Sequence, residues 1–95
     1  MSEVIVDMTA LARKRVEALG LVAEAAVEDL AAELERTPRL GVLVGTSGDS
    51  EIYKTRMEGR QGMPGLAVAY LYTPQPPPQT VAIVSVVPDD TAPAD

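Results

Sequence analysis

The apolar positions in the first half of the chain repeat with the spacing of helices. In the stretch before Pro38, apolar residues fall on one face of a helix, and four glutamates lie off that face. These apolar positions are Ala23, Ala26, Val27, Leu30, Ala31 and Leu34. Pro38 ends the helix because it pushes Thr37, the residue before it, out of the helical region of backbone space. The pattern predicts an amphipathic helix with an acidic, solvated face.

A shorter helical stripe precedes this helix. Apolar residues recur from Met8 onwards, at Leu11, Ala12, Val16 and Leu19. Asp7 or Thr9 can cap this first helix, because either side chain offers an oxygen to the free amide groups of a helix start. Gly20 separates the two stripes and predicts a helical hairpin. The apolar run at residues 4–6 is compatible with either an edge strand or a disordered start.

Alternating and apolar segments in the second half predict strands. Along residues 51–58, Tyr53, Thr55 and Met57 fall on one face, and Ile52, Lys54, Arg56 and Glu58 fall on the other. Residues 66–73 and 80–87 are apolar on both faces, which is typical of central strands that are buried on both sides. The run at residues 39–44 is either a further strand or an extended linker.

The order of these elements predicts an α+β fold, in which an N-terminal helical hairpin packs on an antiparallel β-sheet meander. A chain of 95 residues is long enough for one modest core. The apolar content of 46% is that of a globular protein. We therefore expect a single domain at residues 1–88, followed by a disordered acidic tail at residues 89–95.

Composition narrows the chemistry that the chain can perform. There is no cysteine and no histidine, so disulfides, thiolate metal sites and histidine general bases are excluded, and no cofactor is predicted. The net charge of −6 argues against indiscriminate binding of nucleic acid. No apolar run approaches the roughly 18–20 residues of a membrane span, and the N-terminus lacks the features of a signal peptide. The sequence thus predicts a cytoplasmic protein that does not bind membranes.

One group of residue types has the potential for catalysis. It combines the bases Arg39, Lys54, Arg56 and Arg60 with the tyrosines Tyr53, Tyr70 and Tyr72. Bases on a sheet can hold phosphates, tyrosines can stack on nucleotide bases, and together they can cleave RNA without histidine. Alternatively, the tyrosines belong partly to the core and the bases are simply solvated. The register between the strands, which the sequence does not fix, determines which of these side chains are neighbours.

The order of elements and several local segments resemble the RelE/ParE toxin superfamily over most of residues 4–87. TPRLG at residues 37–41 is similar to the turn that follows the helical hairpin in that family. EIYKTRMEG at residues 51–59 is similar to its strand in which basic residues precede a glycine turn. GLAVAYLY at residues 65–72 and TVAIVSVV at residues 80–87 are similar to the two strands that close its sheet.

This resemblance implies a toxin-like component of a type II toxin–antitoxin system. Ribosome-dependent mRNA endonucleases of the family act through bases on the sheet, which Lys54 and Arg56 match, and through an aromatic residue that Tyr70 or Tyr72 matches. The implied partners are a small antitoxin protein and the ribosome or RNA. The chain is acidic and its last strand is followed by VVPDD, unlike the family's usual ending, so a degenerate non-catalytic relative is the alternative.

A hypothesis of a different class is a non-catalytic protein-interaction module. In that case the acidic helices or an edge of the sheet would bind a protein. A neighbouring short gene that encodes a DNA-binding antitoxin would favour the toxin-like hypothesis over this one.

Overall fold

The fold begins with a strand rather than with a helix. The computed structural model describes residues 3–89 of the chain. Its elements in chain order are β1 (Val4–Met8), α1 (Ala10–Leu19), α2 (Leu21–Arg36), β2 (Val42–Ser47), β3 (Ser50–Met57), β4 (Leu66–Thr73) and β5 (Gln79–Pro88). The predicted α+β class is confirmed, with two helices and one five-stranded sheet.

The sheet is mixed rather than purely antiparallel. Its strand order is β1-β5-β4-β3-β2, with β1 parallel to β5 and all other neighbours antiparallel. The predicted antiparallel meander is present as β2 to β5. The helix-first order and a purely antiparallel sheet are wrong, because β1 precedes the helices and adds a parallel pair. The run at residues 4–6 belongs to a strand because Val4, Val6 and Met8 alternate with period two and pack against the core. The sequence could not show its pairing with β5, which begins some 70 residues later.

Two residues define the helical hairpin. Thr9 begins α1, since its side-chain oxygen accepts the backbone N–H of Ala12 at 3.2 Å. Asp7, the other predicted cap, lies in β1 instead, where its carboxylate accepts the N–H of Met8 at 2.8 Å. Gly20 joins the two helices with φ at 104°, a backbone conformation that favours glycine. The predicted hairpin is therefore present, and it follows β1.

The core lies between the helices and one face of the sheet. The buried residues of α2 belong to the predicted stripe and are Ala23, Ala26, Val27, Leu30 and Leu34. They form one cluster with the alternate residues of the central strand β4, which are Leu66, Val68, Tyr70 and Tyr72. The other face of β4 and β5 is only half-buried, and no described element covers it. Both strands are central, as predicted, but the prediction that they are buried on both faces is wrong.

The predicted C-terminal tail lies mostly outside the described residues. Asp89 is described, whereas residues 90–95 are not. Within residues 3–89, neither helix has the length and apolar character needed to cross a bilayer.

The stripe of α2 provides a test of this packing. Leu30 is 4% exposed, so Leu30→Ala should lower the free energy of unfolding by about 2–5 kcal/mol through lost burial and a residual cavity. Leu21 is 81% exposed at the start of the same helix, and Leu21→Ala should change it by less than about 0.5 kcal/mol. Urea denaturation of the two variants measures the difference. Equal losses would show that Leu30 is not part of the core.

Candidate interaction edge

Two tyrosines of neighbouring strands form the floor of the site. The register of β3 and β4 places Tyr53 directly opposite Tyr70 on the helix-facing side of the sheet. Their rings stack with centroids 5.4 Å apart and planes inclined by 15°. Both rings are buried, with Tyr53 5% exposed and Tyr70 fully buried. Each hydroxyl therefore needs a hydrogen-bond partner, and the two partners lie in different parts of the chain.

The Tyr53 hydroxyl is satisfied by an ion pair at the protein surface. It donates a hydrogen bond to Glu51 Oε1 at 2.6 Å. Arg39 donates two hydrogen bonds to the same carboxylate, from Nε to Oε1 at 2.9 Å and from the terminal nitrogen Nη2 to Oε2 at 3.0 Å. The Arg39 guanidinium also lies 5.0 Å from the centre of the Tyr72 ring. These contacts tie the connection after α2 to strands β3 and β4.

The ionisation of these groups reflects that network. The hydrogen bonds from Arg39, and then from Tyr53, lower the pKa of Glu51 from its ordinary value of 4.5 to about 2. The same bond to Glu51 raises the pKa of Arg39, so this pair stays ionised through the neutral range. Burial raises the pKa of Tyr53, and the hydrogen bond to Glu51 raises that pKa further. Both tyrosines of the floor remain neutral, because burial also raises the pKa of Tyr70.

The Tyr70 hydroxyl is satisfied by the backbone of the same connection. It accepts the N–H of Gly41 at 2.9 Å. The chain passes so close to β3 here that a Cβ on Gly41 would lie 2.6 Å from the carbonyl oxygen of Lys54. Only glycine fits this approach without a shift of the backbone. Residues 37–41 are therefore held against the sheet at two points, by Arg39 and by Gly41.

The anchored residues 37–41 are followed directly by β2, the edge strand of the sheet. β2 pairs with β3 from Ser47 opposite Ser50 to Val42 opposite Lys54, with a bulge between Leu43 and Gly45. The outer side of β2 has no strand neighbour within the described residues.

The pairing of β2 with β3 reaches only as far as Val42 and Lys54. On that side of β3, residues 55–57 therefore have no partner strand among residues 3–89. We call residues 40–44 together with residues 55–57 the edge surface.

The edge surface is the most apolar exposed part of the described chain. Four of its side chains are large, apolar and exposed, namely Leu40 (42%), Val42 (70%), Leu43 (54%) and Val44 (52%). Hollows of about 450 and 420 Å³ lie beside it, and Leu40, Thr55 and Arg56 line both of them. Solitary exposed apolar residues are ordinary, but a continuous run of them on a strand edge is typical of a binding surface.

The predicted bases and tyrosines lie on opposite faces of the sheet. Lys54 and Arg56 face Ala69 and Ala67 on the open side, where both bases are exposed. Tyr70 and Tyr72 point towards the helices, and the Tyr72 hydroxyl donates to the side-chain oxygen of Gln79. The structure therefore does not bring the four predicted catalytic residues together. The reason is the period of two, since bases at even positions of β3 cannot share a face with tyrosines paired to its odd positions.

The remaining bases have separate environments. Arg56 Nε forms an ion pair with Asp89 Oδ2 at 2.6 Å, and the Arg56 side chain is 56% exposed. Arg60 lies in the loop after β3, where its backbone exchanges hydrogen bonds with Met63 at 3.2 and 3.0 Å. It lines the smaller hollow. Arg39 belongs to the network with Glu51, so the predicted basic patch does not form one continuous surface.

Sequence reasoning did not select Glu51 or the exposed residues 42–44 as functional. A signal for both is present in the sequence. Glu51 shares the face of Tyr53 by its spacing of two, and the segment VLVGTS of β2 contains no charged residue and no proline. Strands at a sheet edge usually carry a charged residue or a proline, which prevents pairing with another chain. The lack of both in β2 is therefore a signal of a binding edge.

Comparisons with known proteins identify no relative of this chain. No protein-family model matches the chain, and neither a curated protein nor a solved structure is significantly similar to it. Residues 3–89 contain no group of three or more carboxylates that could hold a metal ion.

The lowered pKa of Glu51 predicts that the free energy of unfolding decreases in acid. Because its pKa is about 2 in the folded chain and 4.5 ordinarily, its contribution to stability is present above about pH 4.5 and is lost as the pH falls towards 2. Glu51→Gln should therefore be less stable than the wild type at pH 7, and its free energy of unfolding should fall less steeply between these pH values. Urea unfolding as a function of pH measures this difference.

The matched control is Glu35→Gln, on an exposed glutamate of α2 that lies outside the network. It should keep the wild-type pH dependence. If Glu51→Gln and the wild type lose stability in parallel between pH 4.5 and 2, the Arg39–Glu51 interaction does not stabilise the fold.

Proposed function

We propose that the protein is a non-catalytic protein-interaction module that binds a partner polypeptide at its edge surface. The single observation that carries this proposal is the concentration of exposed apolar side chains at Leu40 and at residues 42–44 of the edge strand β2, which contains no charged residue and no proline. A partner strand placed along this edge would satisfy the unpaired backbone groups and bury the apolar side chains together.

The contacts that hold the start of β2 against the sheet favour binding at the edge surface. The bidentate Arg39–Glu51 pair and the Gly41–Tyr70 hydrogen bond hold the start of β2 in one position. A surface that is already ordered loses little conformational entropy when a partner binds to it. The separation of the bases from the tyrosines supports a function that does not require them to act together.

Photo-crosslinking in the cells that produce the protein tests the proposal. A photoreactive amino acid at position 44 should give a discrete covalent adduct, because Val44 is 52% exposed on the edge. The matched control is position 11 on α1, where Leu11 is 61% exposed, and it should give none. Val42→Lys in the same chain should remove the adduct. No adduct at position 44, or equal adducts at both positions, would overturn the proposal.

A second candidate is the toxin-like function that the resemblance to the RelE/ParE superfamily implies, with an antitoxin, the ribosome or RNA as partners. One observation favours it: Lys54 and Arg56 are exposed on one face of β3 and line the larger hollow together. Two such bases can hold phosphates without help from the buried tyrosines. To bind a phosphate in this way, Arg56 would have to break its ion pair with Asp89.

The second candidate predicts growth arrest that depends on Arg56. Loss of one fixed donor to a phosphate typically costs about 10²–10³ in rate, so Arg56→Ala should abolish arrest on overexpression. The melting temperature should hardly change, because the side chain is exposed. Arg15→Ala, on an exposed base of α1, should still arrest growth. A wild-type chain that never arrests growth would overturn this candidate and leave the first one standing.

A further inference from the structure

We propose that a second copy of this chain is a partner of the edge surface, through antiparallel pairing of β2 with β2 of the other copy. This inference rests on the proposed function and names the occupant of the same surface. It would join the two five-stranded sheets into one continuous sheet across a two-fold axis.

The two edges of the sheet differ in their protection. β1, at the far edge, carries Asp7, whose carboxylate accepts the N–H of Met8 at 2.8 Å and lies 3.8 Å from Arg13. A charged side chain of this kind disfavours pairing with another strand. β2 carries no such group from Val42 to Ser47. Homotypic pairing is therefore open to one edge and not to the other, so it closes as a dimer instead of continuing as a fibre.

The charge distribution permits two copies to meet at this edge. The chain has a net charge of −6, but residues 1–38 carry −4 of it and residues 89–95 carry −3, which leaves residues 39–88 at +1. Acidic side chains that would repel a second copy thus belong mainly to the helices and the C-terminal end. Asp89, which lines the larger hollow beside the edge surface, forms an ion pair with Arg56. An uncharged strand that pairs with itself brings no like charges opposite each other.

Hydrophobic burial selects the register. Placing Leu43 on the two-fold axis sets the apolar residues 42–44 of one copy against the same residues of the other. The alternative register, which overlaps all six residues of β2, would set them against Gly45, Thr46 and Ser47. Apolar burial is the dominant favourable term in association, so the first register is preferred. The bulge between Leu43 and Gly45 interrupts the regular strand at Val44, so any regular pairing on this side of the axis is short.

Sedimentation of the purified chain tests the dimer. The mass should rise with concentration from 10.0 kDa towards twice that value. Leu43→Lys would place two ammonium groups opposite each other at the axis and should raise the dissociation constant by at least about tenfold. Leu11→Lys, at a similarly exposed position of α1, should leave it unchanged. A wild-type chain that stays monomeric at all accessible concentrations would overturn the inference.

Cysteine cross-linking tests the register without background, because the chain has no native cysteine. Leu43→Cys alone should oxidise to a disulfide-linked dimer, since the two thiols would lie opposite each other. Thr46→Cys alone should not, because its two thiols would be about 20 Å apart at six residues of strand. Cross-linking only in a mixture of the two variants would overturn the register, because that pattern belongs to the full overlap.

These outcomes separate this inference from the proposed function. A photo-adduct at position 44 that contains a different polypeptide, together with a purified chain that remains monomeric, would overturn the homodimer and leave the edge surface as a binding site. No adduct at position 44 would instead count against the proposed function itself.

Discussion

The bidentate contact between Arg39 and Glu51 is the interaction on which the edge of this protein depends. Glu51 also accepts the hydroxyl of Tyr53, whose ring stacks on Tyr70, so a surface ion pair is joined to the buried core. An exposed ion pair by itself contributes little to stability. Its importance here is positional, because it fixes where the chain leaves α2 and therefore where β2 begins.

The consequence is a strand that is fixed at its start and whose outer side carries no charged residue and no proline. Apolar side chains at residues 40–44 remain in water, although burying them within the fold would be favourable. The helices pack mainly over the other end of the sheet, where α2 contacts β1 and α1 contacts β5. Of the exposed residues at this edge, Leu40 lies near α2, because it lines the smaller hollow together with Leu30 and Glu33. Such an edge is a hazard for aggregation unless a partner covers it. This constraint is the physical reason for placing a binding function there.

The distribution of charge over the fold also favours a binding function at the edge. The acidic residues of the helices lie on the solvated side of α1 and α2, whereas Lys54 and Arg56 project from the open face of the sheet. The described residues therefore present three different surfaces: acidic helices, a weakly basic open face, and an edge whose outer strand β2 is uncharged. Of these, the edge combines exposed apolar area with unpaired backbone groups, and both features favour association.

The sequence by itself determined the elements whose signals are local. The stripe of α2, the hairpin at Gly20 and the alternation that separates Tyr53 from Lys54 all follow from periods of 3.6 and 2. Only the tertiary structure decided that β1 pairs with β5, that one sheet face stays uncovered, and that Tyr70 lies opposite Tyr53 rather than beside a base. Those features depend on contacts between residues far apart in sequence, and a pattern of apolar positions carries no information about which distant strand a segment meets.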